Sequence, residues 1–92
     1  MNICLLTFQI VIPHAQSLKD KRQVIQSLRG RLKKFNISFA ECGHQNLWQR
    51  STLGIVAISS SHLILKKTLQ SIENEIENTL NGDLIHTQVE YL

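Results

Sequence analysis

The chain has little of what breaks, cross-links or ligates. Its 92 residues include one proline, four glycines and two cysteines, and aromatics make up 5%. With Pro13 alone and few glycines there is no linker, repeat or low-complexity stretch, and the length suits one domain. Cys4 and Cys42 form no C-x-x-C, which excludes a metallochaperone of the usual kind. Both fall in predicted strands and are expected as small, buried, unpaired apolar residues. No apolar run approaches the roughly 20 residues that span a bilayer. Residues 2–12 are apolar, but no basic segment precedes them and no A-x-A site follows. They read as a strand, and the protein as cytoplasmic with no membrane partner.

Charge is more informative. The net charge is +3. Residues 18–34 hold Lys19, Lys21, Arg22, Arg29, Arg31, Lys33 and Lys34 against Asp20, a net +6, so the rest of the chain is −3. Such a segment suits a phosphate-rich partner, and equally a solvated helix face.

Periodicity gives six elements. Residues 2–12 alternate through Cys4, Leu6, Phe8, Ile10 and Ile12, with mostly apolar residues between them, as in a strand central to its sheet. Pro13 ends it. Ser17 is an N-cap, with Asp20 three residues on as a weaker capping-box partner. The helix that follows runs to about Lys34. Leu18, Val24, Ile25, Leu28, Leu32 and Phe35 form its apolar arc, and Lys19, Arg22, Gln26, Arg29 and Lys33 a second stripe. Lys21 points toward the core, from where its long stem is expected to escape at the end of the sheet. Gly30 costs the helix some propensity. After Asn36, a strand is expected over 37–42 and a near-continuous apolar one over 52–59. A helix follows from His62 to Leu80, with Leu65, Leu69, Ile72, Ile76 and Leu80 on one face. Asn81-Gly82-Asp83 stops it, and residues 84–92 alternate again.

The order β-α-β-β-α-β is that of a ferredoxin-like α+β domain. Right-handed crossovers place the strands as 4-1-3-2, antiparallel, with both helices on one face. The connection after strand 1, the first turn of helix 1, the loop between strands 2 and 3 and the turn after helix 2 then share one end. That end is expected to gather His14, Lys19, Lys21, Arg22, His44, Gln45, Trp48, Arg50 and Asp83 around a helix N-terminus.

Ser17-Leu18-Lys19-Asp20-Lys21-Arg22 together with His44-Gln45-Asn46-Leu47-Trp48-Gln49-Arg50 resembles the YlxP-like family of small bacterial proteins. The likeness extends over nearly the whole chain, and the second motif is the more specific. Asp20 and Asn46 stand where the family often has Glu and Asp. The resemblance implies a ferredoxin-like fold and a family without an established biochemical activity. It also implies a role near RNA or the ribosome, since the family is often encoded beside translation initiation and ribosome-binding factors. It supplies no catalytic residue and no cofactor.

For the candidate residues, a functional reading stands beside a plain one. Trp48 is a stacking platform for a base, or, as favoured, it folds inward with Leu47 to cap the core. Arg50 with Lys19, Lys21 and Arg22 forms an anion site at the helix N-terminus, or, as favoured, ion pairs with Asp20, Glu41 or Asp83. Lys19, Arg22, Arg29 and Lys33 track a nucleic-acid backbone, or, as favoured, form a solvated face. His14 and His44 lack ligand partners at metal spacing and are expected as hydrogen-bonded loop residues. An RNA-recognition motif is excluded because strands 1 and 3 carry no open-face aromatics. An acylphosphatase-like activity is excluded because 13–17 is not a glycine-rich phosphate loop. The leading expectation is a non-enzymatic binding protein for RNA or a ribosomal surface, acting through Lys19, Lys21, Arg22, Arg29, Lys33, His44, Gln45, Trp48 and Arg50. The alternative is a self-associating structural module, joined through an apolar strip of Ile3, Leu5 and Val11 on the open sheet face or through an edge strand.

Overall fold

β1 (Asn2–Val11) alternates so strictly that its two faces have different fates. Cys4, Leu6, Phe8 and Ile10 are buried, whereas Ile3, Leu5, Thr7, Gln9 and Val11 are half-buried. In the computed structural model the following elements are α1 (Leu18–Leu32), β2 (Ile37–Gly43), β3 (Arg50–Ser59), α2 (His62–Leu80) and β4 (Leu84–Tyr91). The structure describes residues 1–43, 47–80 and 84–92, with the backbone alone at 84–86. No helix among the described residues is long and apolar enough to cross a membrane.

The strands form one antiparallel sheet in the order β2-β3-β1-β4, which is the expected 4-1-3-2 read from the other edge. The two strands with apolar residues on both faces are the two in the middle. β3 begins at Arg50 rather than Thr52, because β1 pairs with it as far as Ile10–Ser51 and Val11–Arg50. The edge strand β2 is regular from Ile37 to Glu41 and then shifts register before Gly43.

One core lies between the even face of β1, the inward residues Leu53, Ile55 and Ala57 of β3, and the apolar stripes of both helices. α1 contributes Ile25, Leu28 and Leu32, and α2 contributes Leu65, Leu69, Ile72, Ile76 and Leu80. Ser17 caps α1, its Oγ accepting from the Asp20 N–H at 3.1 Å. Asp20 Oδ2 reaches back one residue further than in a capping box, accepting from the Gln16 N–H at 2.9 Å. The helix stops at Leu32, about two residues early, and the Phe35 N–H returns to the Leu32 carbonyl at 3.1 Å. Ser61 caps α2 through the Ile64 N–H at 3.3 Å.

The later half of α2, acidic through Glu73, Glu75 and Glu77, meets the end of the basic segment. Lys34 Nζ donates to Glu75 Oε1. That bond, with the Lys34 and Arg31 charges, holds the Glu75 carboxyl below the ordinary carboxylate range. The contact therefore stabilises the fold above the ordinary carboxylate pKa and is lost as pH falls through the lowered value.

The other face of the sheet carries no helix. Cross-strand pairs Ile3–Ile58 and Leu5–Val56 place four apolar side chains together there, with Val56 and Ile58 45% and 44% exposed. Val11 is separated from them along β1 by Thr7 and Gln9, so the expected strip is instead a patch shared with β3. Cys4 is buried, which pushes its thiol up from the ordinary cysteine range. Cys42 is exposed, contrary to expectation. It sits on the outward side of β2, over Gly54, where a Cβ would stand 2.9 Å from its Sγ.

Gly30 has different surroundings. It is exposed within α1, and a Cβ there meets nothing within 4 Å. Gly30→Ala therefore gains helix propensity without a clash. The expected result is a stability gain of about 0.5–1 kcal/mol, read as a higher denaturant midpoint with an unchanged slope; a loss would contradict the open space at this position.

Candidate functional site

The first side chain at the shared end is Lys21. Its place on the core side of α1 buries it to 2% exposure, among Ile25, Leu28 and Leu32. A lone buried ammonium would be costly, so it must be paired. Lys21 Nζ lies 2.9 Å from Glu41 Oε2 and donates to the Leu47 carbonyl at 2.7 Å. Ser51, fully buried on β3, donates its Oγ to the same Glu41 oxygen at 2.5 Å. Glu41 points inward from β2 because Ile37, Phe39 and Glu41 share its inner face. No buried side-chain nitrogen or oxygen among the described residues lacks a partner. The ion-pair reading is the right one for Lys21, with Glu41 as the partner. This lysine does not escape at the sheet end, and its buried position removes it from any phosphate-binding set.

The same end positions the loop. The Gln49 carbonyl accepts from the Ile12 N–H at 2.9 Å, and Gln49 Nε2 donates to the carbonyls of Pro13 and Ala15, both at 3.3 Å. With the Lys21 bond to Leu47, backbone ties lie on both sides of Trp48. Trp48 and Leu47 are 51% and 50% exposed. The core cap expected of them is not formed. Its place is taken by Ile12 and Ala15, both buried, and by the Lys21 stem with its polar partners. Trp48 is thus a presented ring on a tied backbone. Lys19 and Arg22 are exposed on α1, whereas Arg50, opposite Val11, falls on the outward parity of β3 and so does not join them as expected. The anticipated contributions of His44, Gln45 and Asp83 lie outside the described residues.

Along α1, Lys19, Arg22, Arg29 and Lys33 are all exposed. Among the described residues none of them enters an ion pair, whereas Lys21 and Lys34 on the same segment do. Arg22, Arg29 and Lys33 border the edge strand β2. Arg22, Gln26, Arg29 and Glu41 line a hollow of about 160 Å³. Arg29, Lys33, Phe35, Ile37 and Phe39 line the next, of about 290 Å³. The Arg29 guanidinium lies 5.1 Å from the Phe39 ring centroid, a cation–π distance. Phe35, Phe39, Gln49 and Ser51 were not anticipated as site residues. Strand order would have pointed to the two rings, since it sets β2 beside the cationic stripe. Gln49 lies inside the His44–Arg50 motif but was given no role, and no pattern marked Ser51.

His14 is exposed beside a cleft of about 500 Å³ that it shares with Ile12, Asp20 and Thr79. Among the described residues no three His, Cys, Asp or Glu side chains gather to hold a metal. His62 is at the opposite end, its ring 5.2 Å from that of Tyr91.

Comparison with known proteins agrees with this architecture. Residues 3–89 match the family described as "Protein of unknown function (DUF503)". The chain belongs to that family. It is 43% identical over 65 residues to the "Uncharacterized protein YlxP" of Bacillus subtilis (strain 168), covering 70% of this chain and 71% of that one. The likeness noted from the two motifs is therefore real. Solved structures resemble it in fold alone. The designed protein Foldit4 superposes with a TM-score of 0.58 at 10% identity, over 99% of this chain and 94% of that one. A designed protein with a ferredoxin fold, LFR1 1, gives 0.51 at 12% identity, over 100% and 83%. The cofactor-independent oxygenase SnoaB of Streptomyces nogalater gives 0.52 at 7% identity, over 99% and 90%.

The buried pair makes a sharp prediction. Lys21→Ala removes the counter-charge of Glu41 and the donor to the Leu47 carbonyl, and is expected to cost about 3–5 kcal/mol, read by urea unfolding. Glu41→Gln leaves the buried Lys21 ammonium without its counter-charge and should cost at least as much. Equal and small losses, under about 1 kcal/mol, would show that the pair behaves as a surface one.

Proposed function

We propose that this protein is a non-enzymatic binding protein that associates with RNA or a ribosomal surface through the outer stripe of α1 and the Trp48 end. One observation carries the reading: Lys19, Arg22, Arg29 and Lys33 stand exposed and without ion pairs among the described residues. Four neighbouring cations repel one another, and a polyanion relieves that repulsion while releasing its own counterions. Trp48 adds an exposed ring at this end, on a loop tied to Lys21 through the Leu47 carbonyl. Binding of purified ribosomes or structured RNA is the test, measured at about 50 mM salt and then at rising salt. The expected affinity falls steeply with salt. Arg22→Ala with Lys33→Ala should flatten the log–log salt slope by about 1.5–2, the share of two phosphate contacts. No binding at low salt, or an unchanged slope in the double variant, would overturn the reading.

A second reading, self-association, is favoured by the patch of Ile3, Leu5, Val56 and Ile58 on the helix-free sheet face. It expects a dimeric mass by light scattering at high micromolar concentration, reverting to a monomer in Val56→Lys. A monomeric mass throughout would remove it.

A further inference from the structure

We infer that the groove between α1 and the edge strand β2 takes an unpaired RNA strand, with bases resting against the Phe35 and Phe39 side and phosphates along Arg22, Arg29 and Lys33. The inference rests on the RNA reading above and specifies its ligand. Cations and rings interleave along this groove. Arg22 stands at one end, Arg29 lies over Phe39 midway, and Lys33 closes the far end with Phe35. Arg22 to Lys33 spans roughly 16 Å of helix, so several phosphates of one strand can follow it.

Three features select a single strand. First, a duplex keeps its base faces inside its own stack, so it would meet the cations and leave the rings unused. An unpaired strand uses both, since base faces stack on aromatic rings and on guanidinium planes alike. Second, the guanidinium of Arg29 already lies over the Phe39 ring, 5.1 Å from its centroid, so a planar charged group is in place at the groove before any ligand arrives. Third, β2 is an edge strand, so one row of its backbone N–H and C=O groups has no strand partner and is open to base edges and 2′-hydroxyls. An acidic peptide would satisfy the charges but supplies no planar faces for the platform. Glu41 at the groove wall does not cancel the stripe, because Lys21 neutralises it from inside.

The test uses the full chain and a fluorescein-labelled oligouridylate of about ten nucleotides, within the usual single-strand site size. A base-paired RNA of the same length and a polyglutamate peptide serve as competitors. Anisotropy should show the oligouridylate bound more tightly than the duplex, with a log–log salt slope of about −2 for three phosphate contacts. Phe39→Leu should weaken the single strand roughly 5- to 150-fold, the range for losing one stacked base, and leave the duplex unaffected. Arg29→Gln, a surface change that leaves the core intact, should weaken it too and reduce the slope by about 0.7. It decides the matter if circular dichroism shows Phe39→Leu unfolded. A duplex bound as tightly as the single strand, with Arg29→Gln affecting both equally, overturns this inference and leaves the RNA reading standing. Displacement by polyglutamate as effective as by unlabelled oligouridylate also overturns it. Failure of every RNA and of ribosomes to bind removes both readings together.

Discussion

The candidate surface depends on an ion pair inside the protein. Lys21 sits where helical periodicity demands an apolar residue, and Glu41 sits where an edge strand turns inward. The buried ammonium of Lys21 would be untenable alone in that position, so it requires the carboxylate. Ser51 Oγ and the Leu47 carbonyl join the set. The result is a polar bolt that links α1, β2, β3 and the loop before β3 at one end of the core. An apolar filling could match its stability, but it would give the Leu47 carbonyl no donor. The bolt also keeps an inward charge on edge strand β2, a common way to discourage edge-to-edge pairing.

From that bolt follows a division of the cations of the basic segment. Lys21 faces inward to Glu41. Lys34 and Arg31 face α2, where Glu75 receives them. Lys19, Arg22, Arg29 and Lys33 remain for solvent or a partner. A net charge of +3 would hardly suggest a polyanion site. The sorting does, because among the described residues four cations on one side of one helix enter no ion pair. That side borders the β2 edge, whose aromatic residues turn a charged stripe into a lined groove. The same bolt ties the backbone beside the exposed Trp48.

Much of this was legible in the residues. Strict alternation in β1, the apolar run in β3, Ser17 before α1 and the narrow face of α2 each specify a local structure, and together they leave one topology. The misplacements share a cause. Lys21 was recognised as lying on the core side, but a single periodic pattern cannot name a partner on a different element. Trp48 was expected inside because large rings usually are. Its exposure follows from Ile12, Ala15 and Lys21 having closed the core already, a fact of three-dimensional volume. Cys42 was expected buried as a small strand residue, yet it falls on the outward parity of an edge strand. The Phe39 platform depends on Arg29, ten residues earlier and on another element. Fold membership was thus readable from local patterns, while the site was a matter of which elements meet.

The claim that the Lys21–Glu41 pair organises this end is tested most directly by a double-mutant cycle. Lys21→Met, Glu41→Leu and the combined variant would be compared with the parent protein by urea unfolding. The account predicts a coupling of about 1–3 kcal/mol, with the double variant far more stable than the two single losses summed. Losses that add within about 0.5 kcal/mol would contradict it.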